Sequence, residues 1–419
     1  MLKKPLCLDI KINIELAIKL KYLIAVLSCL ISFYGCEEDF TSTAISIDGK
    51  VLDINNFPAT YTLVSTDFFS TCLTNNFGGF HLETKSIPYN IRLNKYLTFS
   101  GLTMTNPVLV SSYFSQSNYF DVHVALPEPE EGRSYIVKFI SFEDFYSYQD
   151  YPVYSLSHLY VTVPNNKTSI NGFIVVLEVE GDYWYNTIIA YTKFGIKPVL
   201  VEGELTRVYF HENDLLYNPP EREMNISFQG NNRNSSNVEL SMRFKNYSQS
   251  SNIILNDEQH SGSYSILIPS ELPLYYNFKI KSELNNQNGY SEKIITAEKN
   301  ENPVIYHTGV LQLVSPVENA VDADENTELI FDSPLQMKTV NVFGLGTFNH
   351  YMEYYTTSKS IRIRDFIDAG FVFEKNKKIN WYVIQYYPFN NIDELCSGNY
   401  LQKYSDKLQS KFGSFTTKP

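Results

Sequence analysis

The chain has 419 residues, of which 15% are aromatic (32 Tyr, 28 Phe) and 19% charged, and its formal net charge is −12. A single hydrophobic core stops growing near about 250–300 residues, so several modules are expected. The acidic balance argues against nucleic acid and anionic membrane surfaces as partners.

The chain opens with Lys3, Lys4, Lys11, Lys19 and Lys21, continues through an apolar run over 22–34, and reaches Gly35-Cys36. That order is the layout of a secretory signal. The run is shorter than the roughly 20 apolar residues a spanning helix needs, and Glu37, Glu38 and Asp39 follow at once, so it reads as a leader and not as a transmembrane anchor. Its five Lys stand against Asp9 and Glu15, and removing 1–35 takes the formal charge from −12 to −15.

A cysteine directly after a small residue resembles the lipobox of bacterial lipoproteins. Phe33 and Tyr34 stand where that family has Leu and a small residue, a relaxation found in Bacteroidetes. The resemblance implies that Cys36 carries the lipid, that it becomes the mature N-terminus, and that the protein sits on the outer membrane, anchored through this lipid and exposed on the cell surface. Val26-Leu27-Ser28-Cys29 is the rival site, ranked second because cleavage there leaves a stub of apolar region and puts 30–34 at the start of the mature chain. Glu37, Glu38 and Asp39 look like the surface-export signal of Bacteroidetes lipoproteins; as residues alone they are a solvated tether over 36–43.

Beyond the leader no segment sustains a helical period. Alternating runs at 160–163, 173–179, 238–244 and 275–280, punctuated by Asn, Gly and Pro, predict many short strands and an all-β class of serial β-sandwich domains. Short helices are expected only at 392–396 and 400–411. Polar, strand-breaking joints at 127–132, 218–221 and 300–303 divide the mature chain into 44–126, 127–221, 222–309 and 310–419. Cys72 and Cys396 are expected to be separate, buried, small hydrophobes.

The first stretch holds Gly49-Lys50-Val51, then Thr74, Gly78 and Phe80 at the spacing Thr, Gly four residues on and an aromatic two beyond. It resembles the carboxypeptidase regulatory-like, transthyretin-like domain, which implies a seven-stranded sandwich without a catalytic centre. The last stretch, with Val314-Ser315-Pro316-Val317 and Trp381 among alternating strand residues, is similar to fibronectin type III-like and Ig-like modules of bacterial surface proteins, which implies that Trp381 is a core residue.

Motifs for chemistry are missing. No His-Glu-x-x-His occurs among seven scattered His, and there is neither a Gly-x-Ser-x-Gly elbow nor a phosphate-binding Gly-rich loop. No metal site, cofactor or catalytic residue is therefore expected, and the chain reads as non-enzymatic. Glu143, Asp144, Glu178, Glu180 and Asp182 are the acids a glycan hydrolase could draw on, but solvated strand faces explain them better. Residues 322–326, Asp-Ala-Asp-Glu-Asn, read as a turn and not as a Ca²⁺ loop.

The aromatic run over 139–160 offers Tyr146, Tyr148, Tyr151 and Tyr154 as ligand-binding rings for a sugar or peptide, against the simpler reading that they fill a sandwich core. Tyr351, Tyr354 and Tyr355 pose the same choice. The expected function is a lipid-anchored binding or scaffolding protein with a glycan, peptide or outer-membrane protein partner. The alternatives are a surface glycan hydrolase with a carboxylate site and an accessory subunit of an outer-membrane uptake or export complex.

Overall fold

A computed structural model describes residues 44–419 apart from 68–69, 112–116, 143–145, 150–154, 165–166, 183–186, 218, 230–235, 245–251, 261 and 348–349. The expected leader, Cys36, the acidic triplet, Tyr151 and Tyr154 lie outside the described residues.

The first stretch contributes β1 (Ile45–Leu52), β2 (Leu63–Thr66), β3 (Thr71–Leu73), β4 (Gly79–Thr84), β5 (Tyr89–Leu93), β6 (Leu97–Leu102) and β7 (Val108–Val110). One sheet runs β4-β1-β7 and the other carries β6-β5-β2-β3. The signature residues have distinct physical roles. Gly49 is the cross-strand partner of Phe80, whose ring lies over it so closely that a Cβ would stand 2.1 Å from the ring tip. Gly78 turns at φ 73°, with Val51 O 2.4 Å from where its Cβ would be, so only glycine fits there. Thr74 is buried and its hydroxyl donates to Ala59 O at 2.5 Å while accepting from Thr62 N at 2.9 Å.

Next come β8 (Ser117–Ala125), β9 (Arg133–Ser141), β10 (Tyr146–Gln149), β11 (Leu156–Pro164), β12 (Ser169–Asp182), β13 (Thr187–Glu202), β14 (Leu205–Tyr209) and β15 (Leu215–Tyr217). They form two four-stranded sheets, β10-β11-β8-β14 and β15-β13-β12-β9. The boundary at 126 cuts β8 from these strands, yet β8 pairs antiparallel with β11 along its whole length and parallel with β14. The cause is burial: Phe120, Val122 and Val124 face Val137, Phe139, Ile174 and Val176 in one core.

The third stretch supplies β16 (Glu221–Gln229), β17 (Ser236–Phe244), β18 (Asn252–His260), β19 (Tyr264–Pro269), β20 (Tyr276–Asn286), β21 (Gly289–Ala297) and β22 (Val304–Tyr306). Met224, Ile226, Val238 and Leu240 share a core with Ile136, Val175 and Leu177 from the opposite face of the β9-β12-β13 sheet. That sheet is thus buried on both faces. Ile174, Val175, Val176 and Leu177 are all fully buried, so the one-sided burial expected from alternation over 173–179 is not found and both faces of β12 are packed.

The last stretch holds β23 (Gln312–Ser315), β24 (Ala320–Ala323), β25 (Glu328–Asp332), β26 (Val340–Thr347), β27 (His350–Thr356), β28 (Ser360–Arg362), α1 (Ile363–Asp368), β29 (Lys378–Tyr387), α2 (Ile392–Leu395), β30 (Asp406–Ser410) and β31 (Gly413–Thr417). A 14-stranded sheet links the third, last and first stretches through β21·β30 and β27·β6. Val342, Tyr355, Ile384 and Leu395 enter the first stretch's core. The four stretches therefore share sheets and cores.

The helix expected over 400–411 is not formed. A 3-10 turn takes Tyr400–Gln402, and Asp406–Ser410 is a strand between β21 and β29, its alternate residues buried. Side-chain period and pairing outweigh local helix propensity here. The helix at 363–368, which no sequence signal marked, starts where Asp365 accepts from Arg362 N. Trp381 is fully buried in the core of the last stretch, Cys396 is buried and Cys72 half-buried. Tyr355 is a core residue, and Tyr351 and Tyr354 pack against cores from partly buried positions.

Candidate functional site

The outward face of the β10-β11-β8-β14 sheet brings together exposed rings and a group of imidazole, carboxylate and guanidinium side chains. Strand period sorts the residues: Val122, Val124, Leu159, Val161 and Val208 point inward, which turns their odd-numbered neighbours on β8 and β14 and even-numbered ones on β11 to solvent. In register, Thr162 faces Tyr119, Tyr160 faces Asp121, and His158 faces His123; on the other side Leu205 and Arg207 lie beside Asp121 and His123.

Tyr119, Tyr209 and Tyr160 expose 65%, 57% and 40% of their surface on this face, and Leu156 a further 49%. Between the rings lies a polar cluster. His123 Nε2 is 3.1 Å from Asp121 Oδ2, and the His123 and His158 rings meet edge to face with centroids 4.1 Å apart. One ligand atom from each of Asp121, His123 and His158 falls within 4.8 Å of the other two, and the second Asp121 oxygen, Oδ1, is buried without a hydrogen-bond partner. Arg207 is exposed at the same level.

Of the four aromatic residues expected to bind, Tyr146 and Tyr148 lie on β10, where they are the register partners of Thr162 and Tyr160 on the same sheet. Sequence reasoning missed Asp121, His123 and His158 because seven single His carry no linear motif. The available signal was Asp-x-His on one strand, which places both side chains on one face, together with a His on an adjacent strand.

Of the acids considered for glycan cleavage, Glu178 and Glu180 both lie 3.7 Å from the Arg133 guanidinium, one buried and the other exposed. Glu178 is fully buried, against the expectation of a solvated face: Thr192 Oγ1 donates to it at 2.5 Å and Lys193 Nζ lies 3.4 Å away, itself bonded to Glu212 at 3.1 Å. Burial on both faces of β12 forces this internal pairing. Glu180 is exposed near Arg133, while Glu143 and Asp144 lie outside the described residues. Asp322 and Ala323 end β24 and the turn takes 324–326, in which Asp324 accepts from Asn326 N at 3.0 Å and pairs with Lys418 at 2.7 Å; these bonds, the Lys418 one foremost, hold its carboxyl below the usual range.

A second concavity, lined by Tyr96, Tyr351, Phe371 and Ile379, is rimmed by Lys95, Glu374 and Lys377. Its charges are partly spent on each other, with Lys377 and Glu374 at 3.3 Å.

No family model matches the chain, and no curated protein matches it in sequence. Among solved structures it is similar to the Bacillus anthracis TIE protein, with 14% identity and a TM-score of 0.14, covering 63% of this chain and 50% of that one. It therefore aligns with only half the length of that protein. It is also similar to BcpA, the major pilin subunit of Bacillus cereus, with 9% identity and a TM-score of 0.15, covering 63% of this chain and 99% of that one. The all-β class stands on the strands and sheets of the chain itself.

Proposed function

We propose that the chain is a lipid-anchored surface protein of the outer membrane that binds and does not catalyse, and that the outward face of the β10-β11-β8-β14 sheet is its binding surface for a glycan. On this reading Cys36 carries the lipid, 36–43 is the tether, and the regulatory-like module over β1–β7 packs directly against the fibronectin type III/Ig-like module at 310–419 through the β6·β27 pair.

The observation that carries the reading is the set of exposed rings, Tyr119, Tyr160 and Tyr209, interleaved with Asp121, His123, His158 and Arg207 on one sheet face. A tyrosine ring offers an apolar plate with a polar tip, which suits the apolar faces of a sugar, and the imidazole, carboxylate and guanidinium groups suit its hydroxyls. A large exposed apolar patch rimmed by polar residues marks an interaction surface. The net negative charge weighs against a polyanionic occupant.

The reading is tested by affinity electrophoresis of the full chain in gels containing a panel of neutral and acidic polysaccharides. Retardation by at least one is expected; unretarded migration through every gel would remove the glycan.

A further inference from the structure

We propose that Asp121, His123 and His158 hold one divalent transition ion of the zinc class, with the remaining coordination positions open to solvent or to a bound group. The inference lies on the face described above but stands on these three side chains alone.

Three observations converge on it. First, the donor set is right for a borderline ion: two imidazoles and one carboxylate. Second, the spacing fits. Ligands bound at about 2.0–2.1 Å to a tetrahedral ion stand about 3.4 Å from one another. Asp121 Oδ2 and His123 Nε2 are already 3.1 Å apart, and the whole trio falls within 4.8 Å. The third ligand, His158, stands directly across the ladder from His123 on a half-exposed strand face.

Third, the alternative arrangement leaves groups unused. An ion pair between Asp121 and His123 accounts for one carboxylate oxygen. It leaves Asp121 Oδ1 buried without a partner, and it gives no reason for a second imidazole directly across the ladder. An ion shared by both rings uses the same closeness.

Backbone pairing fixes the site in advance. β8 lies between β11 and β14, and its inward residues Val122 and Val124 are fully buried, so His123 is held in register with His158 by the ladder. Three protein ligands with open positions are the arrangement of an ion that meets a further ligand, in contrast to closed four-ligand structural sites. Such an ion would present a Lewis-acidic centre beside Tyr160.

The test uses the full chain in detergent, purified without a polyhistidine tag and stripped with chelator. Competition against a chromophoric zinc chelator is expected to show one equivalent of Zn²⁺ bound. His123→Ala, His158→Ala and Asp121→Ala each weaken it by at least about tenfold, while His81→Ala, which removes the exposed His81–Asp48 pair (2.8 Å), leaves it unchanged. Co²⁺ added to the wild type is expected to give the visible absorption of a low-coordinate, imidazole-ligated ion, a readout that needs no substitution. Absence of Zn²⁺ uptake by the wild type, or uptake unaltered in both His123→Ala and His158→Ala, overturns the site. Zinc binding without polysaccharide retardation removes the glycan and leaves the ion; retardation without zinc binding does the reverse.

Discussion

Replacing Thr74 by Val keeps the shape of a fully buried side chain and removes only its hydroxyl. That hydroxyl donates to Ala59 O and accepts from Thr62 N, and it joins the turn before β2 to the one before β4. Valine leaves one buried N–H and one buried carbonyl without those partners, at a cost of about 1–3 kcal/mol for each unsatisfied buried group and about 2–6 kcal/mol for both together. Thr74→Ser keeps both bonds and loses one methyl, a cost of about 1 kcal/mol. Urea unfolding is therefore expected to rank the proteins as wild type, then Ser, then Val. Amide exchange at Thr62 supplies the local readout, with protection lost in Val and kept in Ser. If Thr74→Val unfolds at or above the midpoint of Thr74→Ser, volume and not hydrogen bonding explains the threonine, and the physical basis given for the sequence signature fails.

Two further outcomes follow from the sequence and the structure. His307 lies between the Ser282 and Ser291 hydroxyls, 2.9 and 3.1 Å away, and burial pushes its imidazole down to about 4 from an ordinary 6.5. Between those values the unfolded chain binds a proton that the folded chain refuses, so stability falls as pH drops through that window. Unfolding free energies at pH 7 and pH 4.5 are expected to differ by about 2 kcal/mol more in wild type than in His307→Gln; an equal difference would contradict the burial argument. Membrane fractionation of cells expressing Cys36→Ala is expected to find the protein released, whereas Cys29→Ala stays with the membrane; the reverse pattern would move the lipid to Cys29.

Much of the fold was legible because strand period is written in the residues. Alternation over 160–163 and 238–244 marks strands with one buried face, and Trp381 among alternating residues marks a core. What could not be read is which strands meet. The joint at 127–132 is polar and strand-breaking as expected, yet it is a connection between β8 and β9 within one shared core, since a turn inside a module and a linker between modules have the same composition. The pairing of β6 with β27 joins residues near 98 to residues near 354, a relation that no local pattern encodes.

The site shows the same division. Tyr146 and Tyr148 were picked out by composition, and their register beside Tyr160 and Thr162 comes from the ladder. Asp121, His123 and His158 were invisible as a group because 35 residues separate the two histidines and only the β8·β11 pairing brings them face to face. Glu178 was misjudged for a related reason: alternation predicts a solvated face, and burial of β12 on both sides removes it.

The most direct measurement compares wild type with the Tyr119→Ala/Tyr160→Ala/Tyr209→Ala variant for polysaccharide retardation, alongside their thermal unfolding. All three rings are exposed, so unfolding is expected to stay within about 0.5 kcal/mol per site while retardation is lost. Retardation that survives in the stable triple variant would contradict the assignment of this sheet face as the binding surface.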